Sequence, residues 1–270
     1  MSSHQDAIRE QFTKQAIPFS NAPGIKDADA LRLLVEFTGA GSQDVVLDVA
    51  CGPGLVVCTF ARVARHVTGI DLTPAMIERA RELQRQQGLT NVTLEVGDVL
   101  ALPYPDALFS IVTARFAFHH LPDPRAVLAE MKRVCAPGGK VVVIDVMASP
   151  DPEKAAAFNR MERLRDPSHV RAMPLTELTR LFSETSLGDP RTTFYGLRSE
   201  TEGLLQRSFP EPGNAAKVRR ILFDSLADDA LGIGTHPQGD EIHFVYPVAI
   251  LMARRRDSSP RELPLPPSGL

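Results

Sequence analysis

The chain has 270 residues, 43% of them hydrophobic and 23% charged, enough to bury a sizeable core in one large domain or two small ones. Its 30 Lys and Arg against 33 Asp and Glu give a net charge of −3, which demotes proteins that depend on a basic excess to hold nucleic-acid phosphates. No stretch approaches the ~20 apolar residues of a membrane span, and Met1-Ser2-Ser3-His4-Gln5-Asp6 lacks the basic and apolar regions of a signal peptide, so a soluble cytoplasmic protein is expected.

The first two thirds alternate strand-like and helix-like segments. Leu31 to Phe37 reads as helix, and the apolar run Val45 to Val49 as a buried strand leading into Cys51-Gly52-Pro53-Gly54. Helical spacing follows from Leu55 to about Arg65, then a short strand from His66 to Asp71. Thr73 is placed to cap a helix with Pro74 at its first position, running to Gln87 and ending at Gly88. Val92 to Val96 and Phe109 to Ala114 read as strands, Pro124 to Val134 as helix, Pro137-Gly138-Gly139 as a turn and Lys140 to Asp145 as a fifth strand. Continuous apolar strands separated by helices imply a parallel sheet covered on both faces, a doubly wound α/β arrangement.

Beyond Ser149-Pro150-Asp151-Pro152 the pattern loosens. Lys154 to Leu164 and Leu175 to Glu184 read as helices and Arg191 to Leu197 as a sixth strand. Glu200 to Ala230 reads as helix broken at Pro210-Glu211-Pro212-Gly213. Glu241 to Ala253 is a last strand, where Pro247 suggests an edge or a bulge. The tail from Arg254-Arg255-Arg256 to Leu270 has little hydrophobic patterning and is expected to be disordered. Cys51, Cys58 and Cys135 have no metal or disulfide spacing and read as small core residues, so no metal is expected. With no Trp and three Tyr, a base-stacking surface is also disfavoured.

Three carboxylates fall at the carboxyl ends of successive expected strands: Asp48, Asp71 and Asp98. Ligands of open α/β sheets bind at that edge, where strand order reverses. A carboxylate after the second strand can accept from both ribose hydroxyls, and one after the third from an adenine amine. Gly52-x-Gly54-x-x-Val57 lacks the third glycine of a dinucleotide loop, and no P-loop lysine is present. Asp48 would repel a pyrophosphate but suits a ligand bearing an ammonium and a sulfonium.

VLDVACGPG (46–54), VTGIDLTPAMIERAR (67–81), GDVLALPYPDALFSIV (97–112), FHHLPDP (118–124) and RVCAPGGKVVVID (133–145) together resemble the class I S-adenosylmethionine-dependent methyltransferases, in the small-molecule branch similar to ubiquinone and menaquinone biosynthesis enzymes with a methyltransferase type 11 domain. The resemblance implies a Rossmann-like α/β fold, a seven-stranded mostly parallel sheet with an antiparallel last strand and helices on both faces. It implies S-adenosylmethionine as cofactor and S-adenosylhomocysteine as product. Asp48, Ala50, Cys51, Gly52 and Gly54 would surround the methionine part. Asp71 would bind the ribose, with Leu72 and Met76 beside the adenine, whose edge Gly97, Asp98 and Val99 would hold. Arg115 and Phe116 would sit near the transferred methyl. Ala50 departs from the usual first glycine and is expected to narrow the pocket slightly; Ser110 replaces an Asp often found there.

Each role has a bland alternative: Asp71 as a helix N-terminal charge, Asp98 as a turn residue, Asp48 as a loop organiser, Met76 as core. His119 and His120 are candidate bases, against a role in holding their loop, and methyl transfer can proceed by alignment alone. Arg160, Arg163, Arg165, His169 and Arg171 form a basic-leaning stretch, read as a solvated face or as recognition of an anionic or carbonyl-bearing substrate. Phe12, Gln15 and Phe19 are either core or an N-terminal lid. The expected organisation is one methyltransferase domain over 1–257: a cap at about 1–40, a core at 41–148, lid and substrate segments at 149–240 and the last strand at 241–253. Residues 258–270 form the tail.

The expected reaction moves a methyl group to an O, N or C nucleophile of a small molecule, in specialised or quinone-like metabolism, by a monomer or homodimer without nucleic-acid or membrane partners. The rivals are a protein that binds the same cofactor without transferring the methyl, and a nicotinamide-dependent oxidoreductase. Thr113-Ala114-Arg115-Phe116 in place of an (N/D)PPY-type motif argues against nucleic-acid or protein substrates.

Overall fold

The computed structural model describes residues 3–256, so most of the expected disordered tail lies outside the described residues. Apolar runs bounded by glycine, proline and aspartate produce β1 (Val45–Val49), β2 (His66–Asp71), β3 (Val92–Val96), β4 (Phe109–Arg115) and β5 (Cys135–Val146). These pair in parallel in the order β3-β2-β1-β4-β5. The sheet continues through β8 (Glu241–Arg254), which runs antiparallel to β5, and then β6 (Arg191–Glu200). A three-residue strand, β7 (His236–Gln238), pairs with β8. The expected seven strands with one reversed thus form the main path, with β7 beside it.

Period-two alternation puts neighbouring strand residues into cores on opposite faces. Val46 joins Leu34 of α2 (Ala28–Thr38) and Phe60 of α3 (Leu55–Ala61), and on the same side lie Phe158 of α6 (Pro152–Arg165), Leu204 of α8 (Thr201–Ser208) and Leu222 of α9 (Asn214–Asp224). Leu47 and Val49 face the other way, with Leu128 and Met131 of α5 (Pro124–Val134) and Phe182 of α7 (Leu175–Glu184). The order reverses between β1 and β4, which opens the crevice at their carboxyl ends. Across that edge lies α1 (His4–Asn21), started by a capping box of Ser3 and Asp6. Helix α4 (Pro74–Gln86) completes the β2–β3 crossover.

Four local expectations change. Pro247 is not on an edge: β8 runs between β5 and β6. Its carbonyl accepts from the Met147 N–H at 2.8 Å, so the missing proline N–H forfeits one bond where the β5 ladder ends. Pro137 to Gly139 is not a separate turn but lies within β5, at an irregularity in the β4–β5 register. Thr73 occupies the N-cap of α4 without a side-chain cap bond; the Asp71 carboxylate accepts from the Thr73 N–H at 2.8 Å instead. Arg254 ends β8, and the Arg255 guanidinium donates to the Arg133 carbonyl at 2.9 Å, so both residues are tied to the folded domain and not to the tail.

Candidate active site

A cleft of about 1220 Å³, counting its mouth, opens at the β1–β4 switch point. Asp48, Ala50, Cys51, Gly52, Asp71, Leu72, Met76, Asp98, Val99, Arg115 and Phe116 all line it. Eleven positions scattered over seventy residues of sequence converge there because each ends or follows a parallel strand or opens the helix behind it. Two expected residues do not. Gly54 caps α3, where a Cβ would meet Ala80 Cβ at 2.8 Å, and Gly97 faces Ile70 Cδ1 at 2.6 Å, so both glycines serve close packing behind the cleft.

The loop after β1 is bent by a run of left-handed residues, Ala50 at φ 55°, Gly52 at 51° and Gly54 at 83°. Ala50 therefore bears backbone strain, of order 1–2 kcal/mol for an L-residue. Ala50 also lines the cleft, where its methyl group occupies space a glycine would leave open. Gly52 has open space where a Cβ would stand, and its N–H donates to Asp71 Oδ2 at 2.8 Å. Asp71 thereby ties the β1 loop to the start of α4 while its carboxylate lines the cleft. Burial raises its pKa, against the pull of the two backbone N–H groups.

Asp48 differs. It is 1% exposed, and neither carboxylate oxygen has a hydrogen-bond partner. Burial pushes its pKa well above the carboxylate range; Arg115 opposes this and Asp71 adds to it. The Arg115 guanidinium donates to the Ile25 carbonyl at 3.1 Å and lies 4.4 Å above the Phe116 ring. An orphaned carboxylate and a guanidinium at one end of a cleft match the ammonium and carboxylate of an amino acid. Asp98, at the other end, closes its own turn onto the Leu100 N–H at 2.9 Å.

The sequence underplayed α1. Gln5 donates to Asp98 Oδ2 at 2.7 Å, His4 Nε2 lies 2.8 Å from the His120 carbonyl, and Ile8, Phe12 and Phe19 wall the cleft. Phe12 also meets the His120 ring edge-on at 5.0 Å. The lid reading of Phe12 and Phe19 fits this position; Gln5 gave no signal beyond being polar.

His119 and His120 lie on a 3-10 turn, Phe118–His120, and separate in role. His120 lines the cleft; His119 does not, and faces a second cavity. The basic-leaning stretch divides as well. Arg160, Arg163 and Arg171 are exposed, whereas Arg165 and His169 turn inward. Asp145, missed earlier, ends β5 as Asp48 ends β1, and the same strand-end signal could have found it. Among the described residues no helix is long and apolar enough to cross a membrane.

A β3-β2-β1-β4-β5 sheet with a reversed penultimate strand, carrying an acidic cleft at its switch point, defines a class I methyltransferase. A methyltransferase-domain family model matches residues 47–143. The chain is 32% identical over 251 residues to the uncharacterized methyltransferase YcgJ of Bacillus subtilis (strain 168), covering 91% of this chain and 98% of YcgJ. The YcgJ crystal structure superposes with a TM-score of 0.77 over 85% of this chain and 99% of its own, at 26% identity in that alignment. Ubiquinone/menaquinone biosynthesis C-methyltransferase UbiE of Bdellovibrio bacteriovorus is 32% identical over 168 residues, 59% of this chain and 71% of UbiE. The fold also recurs in a Streptomyces coelicolor A3(2) geranyl diphosphate C-methyltransferase crystallised with S-adenosylhomocysteine, at TM-score 0.59 and 16% identity over 85% of this chain and 80% of that one. The chain belongs to the S-adenosylmethionine-dependent methyltransferase family. That membership decides between this cofactor and nicotinamide.

Proposed function

We propose that the cleft holds S-adenosylmethionine with its methionine end at Asp48 and Arg115 and its adenosine end at Asp71 and Asp98, and that the methyl acceptor is a small molecule. Cap, core and later segments work as one methyltransferase unit. The unpartnered Asp48 carboxylate carries this reading: a buried charge with no hydrogen bond is costly unless a ligand supplies the partner. The ligand's ammonium does so. Arg115 pairs with its carboxylate. Asp71 accepts from the ribose hydroxyls with lone pairs that Gly52 and Thr73 leave free. Asp98 and the Val99 backbone hold the adenine edge, and Leu72 and Met76 pack on the ring.

The cofactor supplies an electrophilic methyl group on a sulfonium. The chain's part is to align an acceptor behind that carbon and exclude water, which Phe12, Phe19 and Phe116 do by walling the junction between the two cavities. A small acceptor is supported by that junction between two cavities and by the chain's net charge of −3, which carries no basic excess for nucleic-acid phosphates. The UbiE likeness covers 59% of the chain and supports, at that level, a quinone-like acceptor.

Isothermal calorimetry with S-adenosylhomocysteine tests the assignment. Asp71→Ala is expected to weaken binding by about 1–3 kcal/mol, the worth of a lost charge-assisted pair. Unchanged affinity removes Asp71 from the site and the adenosine orientation with it.

A further inference from the structure

The second cavity, about 750 Å³, meets the cleft along Phe12, Phe19, Ile25, Phe116 and His120. Its far wall is polar and mostly self-satisfied. Arg165 donates to Glu162 at 2.6 Å and to Ser208 at 2.9 Å, Tyr246 donates to Glu162 at 2.8 Å, and Arg207 donates to Ser199 at 2.6 Å. Asp166 accepts from Gln15 at 3.0 Å and from the Ser168 hydroxyl at 2.5 Å. Two lining imidazole nitrogens have no such partner among the described residues: Nε2 of His119 and Nε2 of His120.

His119 Nδ1 lies 2.5 Å from Asp145 Oδ1, and the His119 backbone N–H donates to Asp145 Oδ2 at 2.9 Å. A carboxylate can only accept, so the ring hydrogen sits on Nδ1 and the Nε2 lone pair is left for the cavity. His120 is held differently. Its Nδ1 faces the Ser168 carbonyl at 3.0 Å, with no carboxylate behind it. The two rings are 4.2 Å apart, so protonating one opposes protonating the other. Burial disfavours the charged form at His119, but Asp145 and then Glu162 outweigh it and raise the pKa, with Arg165 opposing. His120 is lowered to about 4 by burial and by His119. His169, 5.5 Å from His119, is also lowered, by burial first, and stays neutral. Of the three rings, His119 is built to take a proton.

We propose that the second cavity is the acceptor pocket, that His119 positioned by Asp145 is its general base, and that the acceptor is a small phenol or enol. The proposal rests on the first cleft being the cofactor site. The hydroxyl proton passes to His119 Nε2, an oxygen electron pair forms the bond to the methyl carbon, and the carbon–sulfur bond breaks with its pair remaining on sulfur. The products are a methyl ether, a neutral thioether and an imidazolium that returns its proton to solvent. The acceptor class follows from the walls. An imidazole is matched to a phenol-range hydroxyl and falls far short of an alkyl alcohol. Glu162 and Asp166 are both committed, which leaves no carboxylate to hold an ammonium-bearing acceptor.

The probe is 2-nitrophenol, whose phenolate absorbs visible light, titrated into the protein with and without S-adenosylhomocysteine. The expected result is ionisation of the bound phenol at a pH where the free probe is protonated. His119→Gln abolishes this spectral change while its affinity for S-adenosylhomocysteine stays native, which also shows that the variant is folded. Asp145→Asn reduces the change and moves its pH midpoint. Absence of probe binding, or an unaltered spectral change in His119→Gln, overturns the proposal. If S-adenosylhomocysteine fails to bind while the probe still ionises, the cofactor reading falls and the acceptor pocket stands.

Discussion

A buried carboxylate without a partner weakens the fold that contains it, and Asp48 is such a group. Because its folded pKa is raised, the folded chain keeps this proton at pH values where the unfolded chain has lost it. The folded state therefore binds more protons from the ordinary aspartate value of about 3.9 upward, and stability falls as pH rises through that window. Asp48→Asn removes the charge and keeps the shape. Thermal denaturation at pH 7 is expected to show the ligand-free variant more stable than the native chain by about 1–3 kcal/mol, while added S-adenosylhomocysteine no longer raises the melting temperature. A less stable ligand-free variant, or one still stabilised by the ligand, contradicts the pairing of Asp48 with an ammonium. At this scale the sequence was readable where chemistry and position coincide, as at the strand-end Asp48, Asp71 and Asp98. It was unreadable where a residue's task is set by backbone conformation. Nothing in the letter Ala50 announces a φ of 55°, and nothing in Gly54 tells a packing glycine from a ligand-facing one.

Among the elements, α1 is held to the cleft by few polar ties, the Gln5–Asp98 bond and the His4 contact with the His120 carbonyl, plus the apolar faces of Ile8, Phe12 and Phe19. Further along, Gln11 and Gln15 reach the Ser208 carbonyl at the end of α8, which fixes the helix's second half more firmly. Its first turns are thus the part able to open without breaking buried polar bonds, and they cover the Asp98 end of the cleft. Gln5→Ala is expected to speed dissociation of S-adenosylhomocysteine several-fold with little effect on melting temperature, whereas Phe12→Ala slows closure and costs stability too. Stopped-flow release separates the two effects; identical release rates in Gln5→Ala and the native chain remove α1 as the cover. This helix was hard to read because its inward face mixes Gln11, Gln15 and Ser20 with phenylalanines, so the 3.6-residue apolar stripe is weak. Helices α5 and α7, whose apolar residues recur regularly, end within the sequence where they end in space.

Over the whole molecule, the sheet is the shared wall of two cores, and the cleft is formed where its strand order reverses. The parallel order was legible because each buried strand is a continuous apolar run. The insertion of β8 between β5 and β6 was not, since strand adjacency depends on the path of the intervening chain and not on local pattern. The arrangement predicts how damage spreads. Phe60 is fully buried on one face and Phe182 on the other, with the sheet between them. Truncating either to Ala is expected to cost about 3–5 kcal/mol, through lost burial and the cavity left behind. Because the two share no cluster, their costs should add within about 0.5 kcal/mol in the double variant, measured by denaturant unfolding. A single cooperative transition, coincident by fluorescence and circular dichroism, is expected in each case, since strands β1, β4 and β5 feed both cores. Two separate transitions would mean that the faces melt independently, and the cleft between them would then lose its rigid floor before the protein as a whole unfolds.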